Sequence, residues 1–148
     1  MAETYQHQNA TLIAGTLVYY KLQTEEDTAF RLWNGLTSIG DIGTEGTFAD
    51  DTTIADTVHT YIPGMKDTSE LSFEFYLYNA DENQDELRGM AADGENITLK
   101  IEWPAGTVAK FNAALNGFSV IGGGNEDGVK GKIALRVSGD TEFSKKGA

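Results

Sequence analysis

The chain predicts a mainly β fold, an antiparallel β-sandwich or barrel with one flanking α-helix, and three observations predict it. Apolar and polar residues alternate with period two in several segments, which is the mark of strands with one buried face. Helix signals gather in a single segment, at about residues 80–92. The order of strands, one helix and more strands lacks the regular alternation that a parallel sheet needs. At 148 residues the chain fits one domain, so residues 1–148 are read as one unit.

The strongest strand is "ELSFEFYLY", where Leu71, Phe73, Phe75 and Leu77 share one face and Ser72, Glu74, Tyr76 and Tyr78 the other. "NITLKIEW" repeats the pattern with Ile97, Leu99, Ile101 and Trp103, and "KIALRVS" does so with Ile133, Leu135 and Val137. Weaker strands are "TLVYYKL" from Thr16, "AFRLW" from Ala29, "TVHTYI" from Thr57 and "TVAKFNAALNGFSVI" from Thr107. In the last, inward Phe111, Ala113 and Leu115 give way after Asn116-Gly117 to inward Phe118 and Val120, a change of phase that predicts a bulge. In "NADENQDELRGMAADG" Asn79 can cap a helix, Glu82 stands at the capping-box position and Gly94 can end it, with Leu87, Met90 and Ala91 on one face.

Residues 37–56 fit neither template, and are expected to form a long loop. Within them "GDIGTEGTFADDTTIAD", residues 40–56, holds five acids (Asp41, Glu45, Asp50, Asp51, Asp56) and no base. Three readings are open: a metal site, a linker, or an arm ordered on another molecule. Asp50, Asp51 and Asp56 could contribute oxygen ligands to a hard cation, but no spacing fixes a geometry. The helix start resembles a calcium loop at Asp81, Asn83 and Asp85, yet Glu86 replaces the required Gly and Ala92 the bidentate Glu.

Composition narrows the function. Eleven basic against 23 acidic residues, a net charge of −12, argue against gripping duplex DNA through its phosphates. Without cysteine there is no disulfide or thiolate chemistry. The N-terminus lacks the basic start and apolar run of a signal peptide, so cytosolic synthesis and no membrane association are expected. His7 and His59 lie in no triad or metal spacing, and "GGGNEDG" lacks the dinucleotide spacing. No catalytic residue, cofactor or metal is expected. A non-catalytic carbohydrate-binding sandwich using Trp33, Trp103, Tyr76 and Tyr78 is the alternative to a structural role.

Two segments carry a family resemblance. "TTIADTVHTYIPGMKDTSELSFEF", residues 52–75, and "FNAALNGFSVIGGGNEDGVKGKIALRVSGDTEF", residues 111–143, resemble the tail tube proteins of long, non-contractile-tailed bacteriophages. Met65 departs from the usual Leu, and no immunoglobulin-like C-terminal decoration is expected. The resemblance implies rings of six copies stacked into a hollow tube, related to contractile-tail and type VI secretion tubes, through which duplex DNA passes without specific binding. It implies as partners the chain itself, a tape measure protein, a tail terminator and tail-tip proteins, and as location the virion tail after assembly in the host bacterial cytoplasm. In such proteins a long loop reaches the adjacent ring, which maps here to Asp41, Glu45, Phe48, Asp50, Asp51, Ile54 and Asp56. Phe48 and Ile54 would be anchors, and Asp50 and Asp51 would meet donors on the neighbour.

Overall fold

The computed structural model describes residues 9–68 and 70–146, so His7 lies outside the described residues. The strands are β1 (Leu17–Leu22), β2 (Arg31–Leu32), β3 (Leu36–Ser38), β4 (Thr44–Asp50), β5 (Tyr61–Thr68), β6 (Glu70–Tyr76), β7 (Asn96–Glu102), β8 (Thr107–Ile121) and β9 (Lys130–Lys145). One α-helix, α1 (Glu82–Asp93), follows β6, and a 3-10 turn spans Asp27–Ala29. Seven strands form one antiparallel sheet in the order β2-β1-β7-β8-β9-β6-β3, and β4 and β5 pair as a separate ribbon. No helix among the described residues is long and apolar enough to cross a membrane.

The alternation read from the sequence becomes the core. The sheet curls into a half-barrel whose inner face buries Val18, Tyr20, Phe73, Phe75, Ile97, Leu99, Ile101, Phe111, Leu115, Ile133, Leu135 and Val137. Leu87, Met90 and Ala91 of α1 join this core. Trp103, expected inward, packs against it half-buried, while Thr98, expected outward, is buried and donates to Asn112 Oδ1 at 2.7 Å. The predicted bulge stands between the pairs Leu115↔Leu135 and Phe118↔Ile133, with Gly117 at φ 96°. Val120 does not turn inward, however: two residues past Phe118, it stands exposed beyond the packed part of the strand.

The helix is capped two residues later than expected. Asp81, not Asn79, accepts from the amides of Asn83 (3.1 Å) and Gln84 (3.2 Å), because Ala80 at φ 61° turns the chain before it. That geometry spends the Asp81 carboxylate on the helix end. Gly94, at φ 69°, closes the other end as a left-handed cap. Gln84 ties α1 to the strands: its amide oxygen accepts from Tyr78 N (2.9 Å), and its nitrogen donates to Asn34 O (3.0 Å) and Tyr76 O (2.8 Å). Tyr20 donates to Asn83 O at 3.1 Å, and burial pushes its phenol well above the usual range.

The expected long loop over 37–56 is corrected by the fold. Residues Thr44–Asp50 are strand β4, paired with β5 from Thr44↔Thr68 to Asp50↔Tyr61. The strand expected from Thr57 begins instead at Tyr61 and runs through Pro63. Both faces of this ribbon are largely exposed, so no period-two apolar signal marks it. A register shift between Gly46 and Phe48 adds a bulge, where a Cβ on Gly64 would come within 2.6 Å of Thr47 Oγ1.

Candidate assembly surface

The β4–β5 hairpin carries large apolar side chains with no body behind them. Phe48 is 78% exposed, Ile54 at the tip is fully exposed, and Val58, Tyr61, Ile62 and Met65 are open to solvent as well. Singly, exposed apolar residues are ordinary; six on one two-stranded ribbon mark a surface that another molecule covers.

Such a ribbon is marginal in water on its own, so its tip needs local bonds. They are supplied by the acids singled out in the sequence. Asp50 Oδ1 accepts from Thr52 N (2.8 Å), and Asp51 Oδ1 accepts from the Thr60 hydroxyl (2.7 Å). Asp56 Oδ2 accepts from both the amide (2.8 Å) and the hydroxyl (3.1 Å) of Thr53. Thr60 N donates to Thr52 Oγ1 at 2.9 Å, closing the loop between the strands. The hydroxyl and amide of Thr52 hold the Asp50 carboxyl below its ordinary range. His59 Nδ1 stands 3.8 Å from Asp50 Oδ2, and both groups are exposed.

The loop's own threonines already donate to Asp50, Asp51 and Asp56, so the turn at the tip is held by local bonds. The metal reading of Asp50, Asp51 and Asp56 finds no support: among the described residues, no three His, Asp or Glu side chains are grouped so as to hold an ion.

The seven candidate residues also separate in space. Asp50, Asp51, Ile54 and Asp56 shape the tip and Phe48 the shaft, while Asp41 and Glu45 line a cleft of about 850 Å³ at the hairpin's base. Lys66, Asp140 and Phe143 complete that cleft. Across it Lys66 meets Asp140 at 3.8 Å, and nearby Arg136 meets Asp67 at 4.0 Å. Exposed pairs at such distances hold weakly, on the order of 0–1 kcal/mol.

Elsewhere the bases cluster in a way the sequence does not announce. Lys21, Lys100 and Lys110, from three adjacent strands, converge on the Phe30 ring at 5.5, 4.8 and 5.8 Å from its centroid. Asp27 is the carboxylate among them, 3.2 Å from Lys110 and 3.6 Å from Lys21, and Lys110 holds its carboxyl below the usual range. The alternating Lys in each strand is the signal, but only the sheet order brings the three together. Trp33 corrects the carbohydrate reading: it is 2% exposed, with its ring against Phe73 (5.3 Å), Phe75 (5.5 Å) and Tyr20 (6.4 Å), and offers sugars no platform.

With this geometry in hand, comparison with known proteins is informative. The family model described as "Phage tail tube, TTP, lambda-like" matches residues 9–121. No curated protein matches. Among solved structures, the fold is similar to a chain in the tail of an empty gene transfer agent particle, at 16% identity and a TM-score of 0.70, covering 91% of this chain and 99% of that one. It is similar as well to the SPP1 tail tube, at 13% identity and a TM-score of 0.63, covering 88% and 77%. A chain in the baseplate of the anti-feeding prophage aligns at 9% identity and a TM-score of 0.64, covering 96% and 100%. The family match spans most of the chain, from β1 through β8 with the whole hairpin and α1 included, and so the chain belongs to the lambda-like phage tail tube family, with a structural role in the tail.

Proposed function

We propose that this chain is the subunit of six-membered rings that stack into a tail tube, and that the β4–β5 hairpin is the arm by which rings stack. One observation carries the reading: a preformed ribbon with six large apolar side chains in solvent, on a member of a tube-forming family. The similar gene transfer agent tail has C6 symmetry, which supports six copies per ring. Asp41, Glu45, Phe48, Asp50, Asp51, Ile54 and Asp56 are the residues of the arm, in two roles. Phe48 and Ile54 supply apolar contact, whereas Asp50, Asp51 and Asp56 fold the tip that presents it.

The tube serves as the conduit for duplex DNA, and the subunit chemistry suits a wall that does not grip. Each phosphate bound by a Lys or Arg would have to be released as the DNA moves. A net charge of −12 per subunit opposes such binding, although at physiological salt only groups within about 8 Å of the DNA are felt. Tape measure, terminator and tail-tip proteins would bound the tube, with assembly in the host cytoplasm. The role needs no catalysis and no cofactor, and residues 1–148 act as one tail-tube domain.

To test this, the purified chain is concentrated and viewed by negative-stain microscopy, and compared with a variant in which residues 52–59 are replaced by a two-residue turn. Rings and tubes are expected from the first. The second should keep its circular dichroism spectrum and fail to elongate; tubes of normal length from it would remove the hairpin from the stacking role.

A further inference from the structure

The hairpin leaves the molecule at one end of the sheet, and at the other opens a pocket of mixed lining, with Leu77, Tyr78 and Val129 beside Gln84, Asp85 and Arg88. Strand β6 runs from Glu70 to Tyr76, about 20 Å. At its Tyr76 end, Leu77 N donates to Val129 O at 2.9 Å, and there Leu77, Tyr78, Val129 and Arg88 line a pocket of about 420 Å³ with Gln84 behind it. Tyr78 and Val129 are more than half exposed. At the Glu70 end, β6 pairs with Arg136 of β9, and β5 continues beside β9 past that point, as the Lys66–Asp140 contact shows. The fully exposed Ile54 therefore projects away from the end that holds the pocket.

We propose that the tip of one copy's hairpin, led by Ile54, seats in the Leu77, Tyr78, Val129 pocket of a second copy; this deepens the stacking-arm reading and rests on it. Knob and hole lie on different surfaces of the same chain, so the contact is heterologous. Repeated along the strand direction, it propagates instead of closing on itself, which is what stacked rings require. The occupant is a second copy because every chain carries one knob and one hole at opposite ends, and none fills its own.

The tip is suited to this seat. Asp50, Asp51 and Asp56 already fix its turn, so little order is gained on docking and the entropic cost is low. Asp51 and Asp56 flank Ile54 in the sequence; in the pocket lining Arg88 is matched by Asp85 at 2.9 Å, which leaves Lys130, next to Val129 and with its ammonium 5.1 Å from the Tyr76 ring, as the unmatched cation at this end among the described residues. Lys130 gives the tip a charge partner and fixes its register more than its affinity.

The chain has no cysteine, so a cross-link reports one pair of positions cleanly. Ile54→Cys combined with Val129→Cys is assembled into tubes, mildly oxidised and run on a non-reducing gel. A ladder of covalent dimers, trimers and higher species is expected. Ile54→Cys alone, and Ile54→Cys with Leu12→Cys at another exposed site, should give no ladder. Tubes that form without the first cross-link, or that link Ile54 to itself or to Leu12, overturn this docking and leave the stacking role standing. A folded chain that never forms rings or tubes overturns both. As a second measurement, Val129→Asp should leave the melting temperature unchanged and raise the concentration needed for tubes about tenfold, the effect of losing about 1.4 kcal/mol per contact. An unchanged threshold would count against the pocket.

Discussion

The curled sheet and the hairpin are built from the same kind of strand, yet they are stable for opposite reasons. In the sheet, every second side chain enters a shared core, and Tyr20, Phe73, Phe75, Leu99 and Ile101 are fully buried. In the hairpin no apolar side chain is buried, and the strand pairing is closed by threonine-to-aspartate bonds at the tip. Alternation therefore builds an element that stands alone, while local turn chemistry builds one that awaits a partner. The distinction gives each region its own sensitivity to mutation.

The sharpest way to break the comparison is to truncate one phenylalanine from each region. Phe73→Ala removes a fully buried ring packed 5.3 Å from Trp33, and should cost about 3–5 kcal/mol in a denaturant melt. Phe48→Ala, at an exposed position, should leave the monomer within about 0.5 kcal/mol of the parent while tube formation falls away. If Phe48→Ala also destabilises the monomer by several kcal/mol, the hairpin is part of the core and the division is wrong.

A smaller effect is expected where polar groups join the body. Gln84 is buried and bonds Tyr78 N, Asn34 O and Tyr76 O. Gln84→Leu leaves those backbone groups unpaired and should cost about 1–3 kcal/mol. Hydrogen exchange should quicken at the Tyr78 amide first. Because Tyr78 also lines the proposed docking pocket, this variant should assemble less well than its stability alone dictates.

These regions differed equally in how plainly the sequence announced them. Leu71 to Leu77, Ile97 to Trp103 and Ile133 to Val137 were legible because a half-buried strand must alternate, and the helix because Leu87, Met90 and Ala91 share a face. The bulge at Gly117 was legible from the break in phase. Strand β4 was not, since Glu45 to Asp50 are exposed on both faces and leave burial nothing to pattern. Asp81 was missed as the cap because two plausible caps stood two residues apart, and the choice depended on Ala80 adopting a positive φ. Trp33 was misjudged because β2 is only two residues long, too short to show which face is inner. The acidic stretch was legible as an arm by its resemblance, but the meaning of its acids was not: Asp50 with Thr52 and Asp56 with Thr53 are local turns two and three residues long, while Asp51 with Thr60 depends on a hairpin that brings residues nine apart together.

Acid should separate the two regions most gently. Asp50 has its carboxyl lowered by the hydroxyl and amide of Thr52, so it favours the folded tip above the ordinary carboxylate range. A depressed group contributes stability while it is ionised, and that contribution fades as pH falls through the lowered value. The tip should therefore loosen on acidification below about pH 4, the region where an ordinary Asp takes up its proton. The core near Phe73 is built of uncharged groups; on the sheet body the lowered carboxyls are Glu25, which accepts from Leu22 N, and Asp27 beside Lys110, both at the β1–β2 corner and away from Leu99 and Ile133 in the chain. Amide resonances of Thr52 and Thr53 should shift and broaden at acidic pH before those of Leu99 or Ile133 change. In Asp50→Asn the acid-dependent shift of Thr52 should shrink while the body's melting point stays where it was. Simultaneous loss of both sets of resonances in the parent would mean that hairpin and sheet fold as one cooperative unit, and the tip's local bonds would no longer account for its order.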